Sequence, residues 1–158
     1  AGACLCLERK KRIAQLYLFT QVFGLMAGEI AYSRISLPEV FLEAGRRLEG
    51  DQGLGGVLRR LGKRLCDGTG QDIRTVWEQE LGEYLRRTHL KPEERERILS
   101  FPSAVQYLDG ARQQEAVAAF SRVFSEKAQQ AVQAQKEENK ITMALSVACG
   151  ALAAILLA

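Results

Sequence analysis

Apolar residues return every third or fourth position from Ile13 onward, and only at the carboxyl end does the polar side of the pattern vanish. Ile13, Leu16, Phe19, Phe23, Met26 or Ala27, and Ile30 form one stripe, which predicts a long amphipathic helix from Leu7 to about Tyr32. Gly24 and Gly28 make a G-x-x-x-G inside it. With Gln21 and Glu29 beside them, the glycines point to a water-soluble helix that admits a neighbour in a bundle, rather than to a membrane pair. Ser36, Leu37, Pro38 and Glu39 read as a helix start, in which hydroxyl and carboxylate cap each other's amides and proline takes the first turn. The helix carries Val40, Phe41, Ala44 and Leu48 and is broken by Gly50, Asp51 and Gly53. The next buries Leu54, Val57, Leu58, Leu61 and Leu65.

Asp67, Gly68, Thr69 and Gly70 predict a turn, after which Asp72 can cap a helix bearing Ile73, Val76, Trp77, Leu81, Tyr84 and Leu85. Trp77, the sole tryptophan, reads as a core anchor, and Arg86 and Arg87 suit the negative end of that helix. Pro92, Glu93 and Glu94 open a short helix through Ile98 and Leu99 to Phe101, where Pro102 stops or kinks it. Asp109 and Gly110 begin the last element. From Ala111 to Ala158 there is no proline and one glycine, so a single helix of about 70 Å is predicted. Val117, Phe120 and Phe124 pack on the bundle, and the stripe then thins to Ala128, Ala131 and Ala134, a stalk that holds the body away from a bilayer. The expected fold is all-α: a bundle of about six helices, with a long carboxyl-terminal helix continuing into a transmembrane anchor.

The anchor is Ile141 to Ala158, 18 residues without a charge and with only the hydroxyls of Thr142 and Ser146. At about 1.5 Å per residue this sits at the short edge of what crosses a hydrocarbon core of about 30 Å. Ile141, Leu145, Val147, Leu152, Ile155, Leu156 and Leu157 supply its bulk. Gly150, Ala154 and Ala158 recur every fourth residue, a seam on which copies of the chain or other membrane helices could associate; plain exposure to lipid is the alternative. A buried core helix would carry a polar face, which this run lacks. Lys136, Glu137, Glu138, Asn139 and Lys140 form a hydrophilic collar before it. At the other end AGACLCL runs directly into Glu8, Arg9, Lys10, Lys11 and Arg12. Residues 1–7 therefore read as the remnant of a transmembrane or signal segment, with a disordered start as the other reading. Residues 8–140 form the soluble domain and 141–158 the anchor; the basic residues at both junctions put the domain on the cytoplasmic side.

Charge adds little to the picture of partners. The 22 basic and 19 acidic side chains leave a net +3, interspersed rather than striped, which argues against nucleic acid. Cys4, Cys6, Cys66 and Cys149 have no metal-ligand spacing, His89 cannot complete a zinc set with them, and the pattern fits a reducing compartment. No nucleophile stands near a base, and the glycines around Gly53, Gly55 and Gly56 lack the Lys-Ser/Thr of a phosphate loop. Neither catalytic, cofactor nor metal residues are assigned. The one candidate interaction face is Arg59, Arg60, Lys63 and Arg64, opposite the apolar stripe of their helix, where anionic lipid or an acidic partner could meet it; a solvated face is the plain alternative.

Several local sequences, in order, resemble the stage III sporulation protein AB family: the basic residues after the amino-terminal stub, Glu29-Ile30-Ala31-Tyr32, Leu37-Pro38-Glu39, Val76-Trp77, Leu108-Asp109-Gly110, and the anchor from Lys140 to Leu157 with Gly150 near its centre. The resemblance implies an all-helical domain similar to the platform proteins of type II secretion and type IV pilus machines. It also implies no enzymatic activity, and a scaffolding role in the channel between mother cell and forespore that endospore formation requires. The expected partners are a secretion-type ATPase, small membrane proteins of the same operon and membrane lipid, with the domain facing the mother-cell cytoplasm. The alternative is a tail-anchored helical regulator whose bundle holds a groove for a partner helix.

Overall fold

The computed structural model describes residues 2–48, 53–68 and 70–157, and among them every regular element is an α-helix. They are α1 (Gly2–Ser33), α2 (Leu37–Arg47), α3 (Leu54–Cys66), α4 (Ile73–Leu85), α5 (Pro92–Leu99), α6 (Phe101–Val105) and α7 (Gly110–Leu157). Gly50, Asp51 and Thr69, invoked above as turn residues, lie outside the described residues, as does Ala158.

The frame is an antiparallel pair of α1 and α7, the most extensive helix contact in the molecule. Phe19 meets Phe124 at 6.1 Å and Phe23 meets Phe120 at 5.2 Å between ring centroids. The Ser121 hydroxyl donates to the Thr20 carbonyl at 2.9 Å, and Arg9 pairs with Glu138. The predicted stripe of α1 is what makes this contact: Leu16, Phe19, Phe23, Met26, Ala27 and Ile30 are buried, and Ile13 is half-buried. Val22 joins them. α2 begins as expected, with the Ser36 amide donating to the Glu39 carboxylate at 3.3 Å and Pro38 in the first turn. Asp72 occupies the N-cap of α4 without a side-chain bond to it.

Aromatic rings fill the space between the pair and the smaller helices. Trp77 stacks on Phe101 at 4.9 Å, and Phe101 in turn meets Phe23 at 5.1 Å and Phe120 at 5.2 Å. Pro102 explains why there are seven helices among the described residues where about six were expected. The predicted helix from Pro92 to Phe101 ends earlier, at Leu99, and Pro102 lies in the first turn of a separate α6 instead of terminating α5. Proline has no amide to give the carbonyl four residues back, which is that of Ile98. That carbonyl accepts from Trp77 Nε1 at 3.0 Å, so a tertiary bond replaces the missing helical one.

The glycines behave differently from expectation. A side chain at Gly28 would meet open space and one at Gly24 only the Ser121 hydroxyl at 3.5 Å, so the G-x-x-x-G does not mark the close helix approach. That approach lies between α2 and α3. A Cβ on Gly45 would stand 2.8 Å from Arg59 Cγ and 2.9 Å from the Gly55 carbonyl, and one on Gly62 would stand 2.9 Å from the Pro38 carbonyl. Because the obstructing atoms include backbone, the helices would have to part. Gly45→Ala is expected to cost about 1–3 kcal/mol, while Gly28→Ala, in an open helix position, should gain up to about 1 kcal/mol. Thermal melting of the two variants should move in opposite directions.

Candidate functional site

The segment from Ile141 to Leu157 is a straight continuation of α7, and Ile141, Leu145, Val147, Gly150, Leu152, Ala154, Ile155, Leu156 and Leu157 are all exposed. Eight large apolar side chains stand in the open here, Leu156 at 84% and Leu157 at 88%. Removing each from water is worth about 1.5–3 kcal/mol, so the set favours burial by more than about 10 kcal/mol. Apart from the last-turn carbonyls, its backbone polar groups pair within the helix, as hydrocarbon demands, and the Thr142 hydroxyl donates to the Glu138 carbonyl at 2.9 Å. Among the described residues two helices are long and apolar enough to cross a membrane, and burial separates them. In α1, 44% of the most apolar window is inside the molecule, the mark of a core helix, whereas none of the corresponding window of α7 is buried.

The predicted stalk is not a lone rod. α1 accompanies α7 as far as the Arg9 to Glu138 pair, so the exposed Leu5 and Leu7 at the start of α1 lie at the same end of the molecule as the apolar run from Ile141. The antiparallel arrangement also brings two separate basic runs together. Arg9, Lys10, Lys11, Arg12, Lys136 and Lys140 stand against Glu8, Glu137 and Glu138, a surplus equal to the net +3 of the whole chain. Of these, Arg9 is paired with Glu138 and Arg12 with Glu94.

The Arg12 to Glu94 pair ties α5 to α1, with Nε and Nη2 reaching the two carboxylate oxygens at 3.0 and 2.6 Å. Burial pushes the Glu94 carboxyl upward. The Arg12 hydrogen bonds, the Lys91 amide and the charges of Arg12 and Lys127 outweigh it and hold the group below its ordinary 4.5. A depressed folded value means stability that is present above 4.5 and lost as pH falls through the folded value. The melting temperature should therefore drop between about pH 5 and pH 3, and Glu94→Gln should flatten that part of the profile while lowering the plateau. A wild-type profile as flat as that of the variant would remove Glu94 from the acid response.

The predicted basic face of α3 is divided. Arg59 Nη1 donates to the Gly45 carbonyl at 2.8 Å. Arg60 and Arg64 reach Glu80 of α4 at 3.3 and 3.1 Å, and Arg64 also donates to Gln79 at 2.8 Å. Lys63 is exposed, with no partner among the described residues. Three of the four cations thus hold α3 to its neighbours. Glu29, assigned no partner by the sequence pattern, is buried and held by Arg47 at 2.6 Å and Ser33 at 3.0 Å. Its position on the edge of the Met26, Ile30 stripe was the available signal.

At the end of the hairpin opposite the apolar run, a cleft of about 670 Å³ opens between Ile30, Ala31 and Arg34 on one side and Asp109, Gly110 and Gln113 on the other. Tyr32 and Tyr107 stand close by in sequence at 91% and 89% exposure. Among the described residues no three His, Cys, Asp or Glu side chains are grouped to hold a metal ion, and the four cysteines are free.

Three comparisons bear on this arrangement. Residues 1–158 match the family described as Stage III sporulation protein AB. A solved structure described as stage III sporulation protein AB superimposes with a TM-score of 0.67 at 21% identity, covering 80% of this chain and 98% of that one, which establishes a common fold. No curated protein sequence matches the chain. With a match that runs from the first residue to the last and a shared helical body, the chain belongs to the stage III sporulation protein AB family.

Proposed function

We propose that this chain is a non-enzymatic scaffold of the secretion-like channel between mother cell and forespore. In this reading residues 141–158 fix it in the mother-cell membrane, and the body formed by residues 8–140 faces the cytoplasm. The observation that carries the reading is α7, one helix that is core at Phe120 and Phe124 and bare hydrocarbon from Ile141 onward. A body so attached is held at a set height and orientation, which is what a scaffold contributes. The basic surplus beside the anchor supports the cytoplasmic orientation.

The partners are other channel proteins, a secretion-type ATPase and small membrane proteins made with it. The cleft between Ile30, Ala31 and Arg34 and Asp109, Gly110 and Gln113 is at the end of the hairpin farthest from the bilayer, about 45 Å along α7 from Ile141, and suits a cytoplasmic partner. Tyr32 and Tyr107, close in sequence to residues that line it, are exposed, and tyrosine is among the side chains that dominate protein interfaces. The full chain in mild detergent should capture the ATPase, and Tyr32→Ala combined with Tyr107→Ala should weaken capture about tenfold or more. Absence of capture at high concentration rules out the link to the ATPase. Capture of an isolated amphipathic helix by the same cleft, with no channel protein bound, would favour the tail-anchored regulator instead.

A further inference from the structure

Lys10, Lys11, Lys136 and Lys140 come from opposite ends of the chain, yet the pairing of α1 with α7 gathers them at one level of the hairpin. All four are exposed, and none has a carboxylate partner among the described residues. At about 1.5 Å per residue, Lys136 lies roughly 7 Å and Lys140 roughly 1.5 Å from Ile141, within the depth of a headgroup layer. The Arg9 to Glu138 pair places the amino-terminal cluster at the same height on the neighbouring helix. The remaining arginines of this cluster are occupied, Arg9 by Glu138 and Arg12 by Glu94, so the lysines are the charges left for an outside anion. Flexible ammonium groups on exposed stems suit mobile phosphates, and each exposed lysine near an anionic surface is worth about a fivefold gain in association.

We infer that these four lysines form a collar around the base of the hairpin that binds anionic phospholipid headgroups, giving the body a second, lipid-selective attachment beside the apolar rod. This rests on the membrane-anchoring reading above. The collar fixes tilt as well as depth: it holds α1 to the bilayer surface on one side while α7 passes through, so the body cannot swing freely about a single helix. Within the described residues, Leu5 and Leu7 are the exposed large apolar side chains at the start of α1, beside the collar.

The test is native mass spectrometry of the full chain, solubilised with an equimolar mixture of phosphatidylglycerol and phosphatidylcholine. The chain should retain phosphatidylglycerol over phosphatidylcholine by about tenfold or more. Lys10→Gln, Lys11→Gln, Lys136→Gln and Lys140→Gln together should bring the ratio to near parity without changing the circular dichroism spectrum. A control that removes the same charge from exposed positions on the body, Lys63→Gln, Arg74→Gln, Arg112→Gln and Arg122→Gln, should keep the preference. Equal retention by the parent chain, an undiminished preference in the collar variant, or the same loss in the control each overturns the collar while leaving the anchor in place. Recovery of the parent chain lipid-free in the aqueous phase without detergent overturns the collar and the anchoring together.

Discussion

Val147→Arg combined with Leu152→Arg is expected to release the chain from membranes. In alkaline carbonate extraction the parent should stay in the pellet and the double variant should appear in the supernatant. Both positions lie within about one turn of the middle of the apolar run, where an arginine costs about 2.5–3.5 kcal/mol. Two therefore remove about 6 kcal/mol from a partition that rests on eight exposed apolar side chains of about 2 kcal/mol each. The loss is amplified because 18 residues barely span and offer little room for tilting a guanidinium towards the interface. Neither position touches the helical body, so folding of residues from Ile13 to Ala131 should be unaffected. A double variant that remains in the pellet would mean that the apolar rod is not what holds the chain.

Trp77→Ala should be the most destabilising single change in the body, at about 4 kcal/mol, or on the order of 12–16 °C in melting temperature. Trp77 is buried against Phe101 at 4.9 Å and Phe41 at 5.4 Å, and it joins α4 to the α5–α6 junction. Trp77→Phe separates packing from hydrogen bonding. It keeps much of the ring but leaves the Ile98 carbonyl without the indole donor, and Pro102 cannot supply a replacement amide. A cost of about 2 kcal/mol is expected for that change. A cost for Trp77→Phe of only a few tenths, measured by thermal melting of the full chain in detergent, would show that the carbonyl finds water and that α6 does not depend on this bond.

Most of the helical body follows from residues close to one another in the chain. The three-and-four spacing of Leu16, Phe19, Phe23 and Ile30, the Ser36 to Glu39 start and the unbroken run after Gly110 each predict what forms, because side chains on one helix face depend only on the helix repeat. The split between α5 and α6 was half visible: Pro102 signals a break, but its place two residues earlier depends on Trp77 taking the Ile98 carbonyl from another helix. The basic cluster on α3 shows the opposite case. Its spacing along one face is real, but the charge available there depends on Glu80 and the Gly45 carbonyl, which reach it only through packing.

What the chain settles by itself is helical periodicity and the stretch that water cannot hold, since both come from the order of side chains along a single helix and from transfer out of water. Tertiary structure alone decided which glycines are crowded, which charges are already paired, and that basic runs separated by more than a hundred residues meet beside the anchor. Those depend on how α1 lies against α7 and α2 against α3, and helix periodicity carries no record of register between helices.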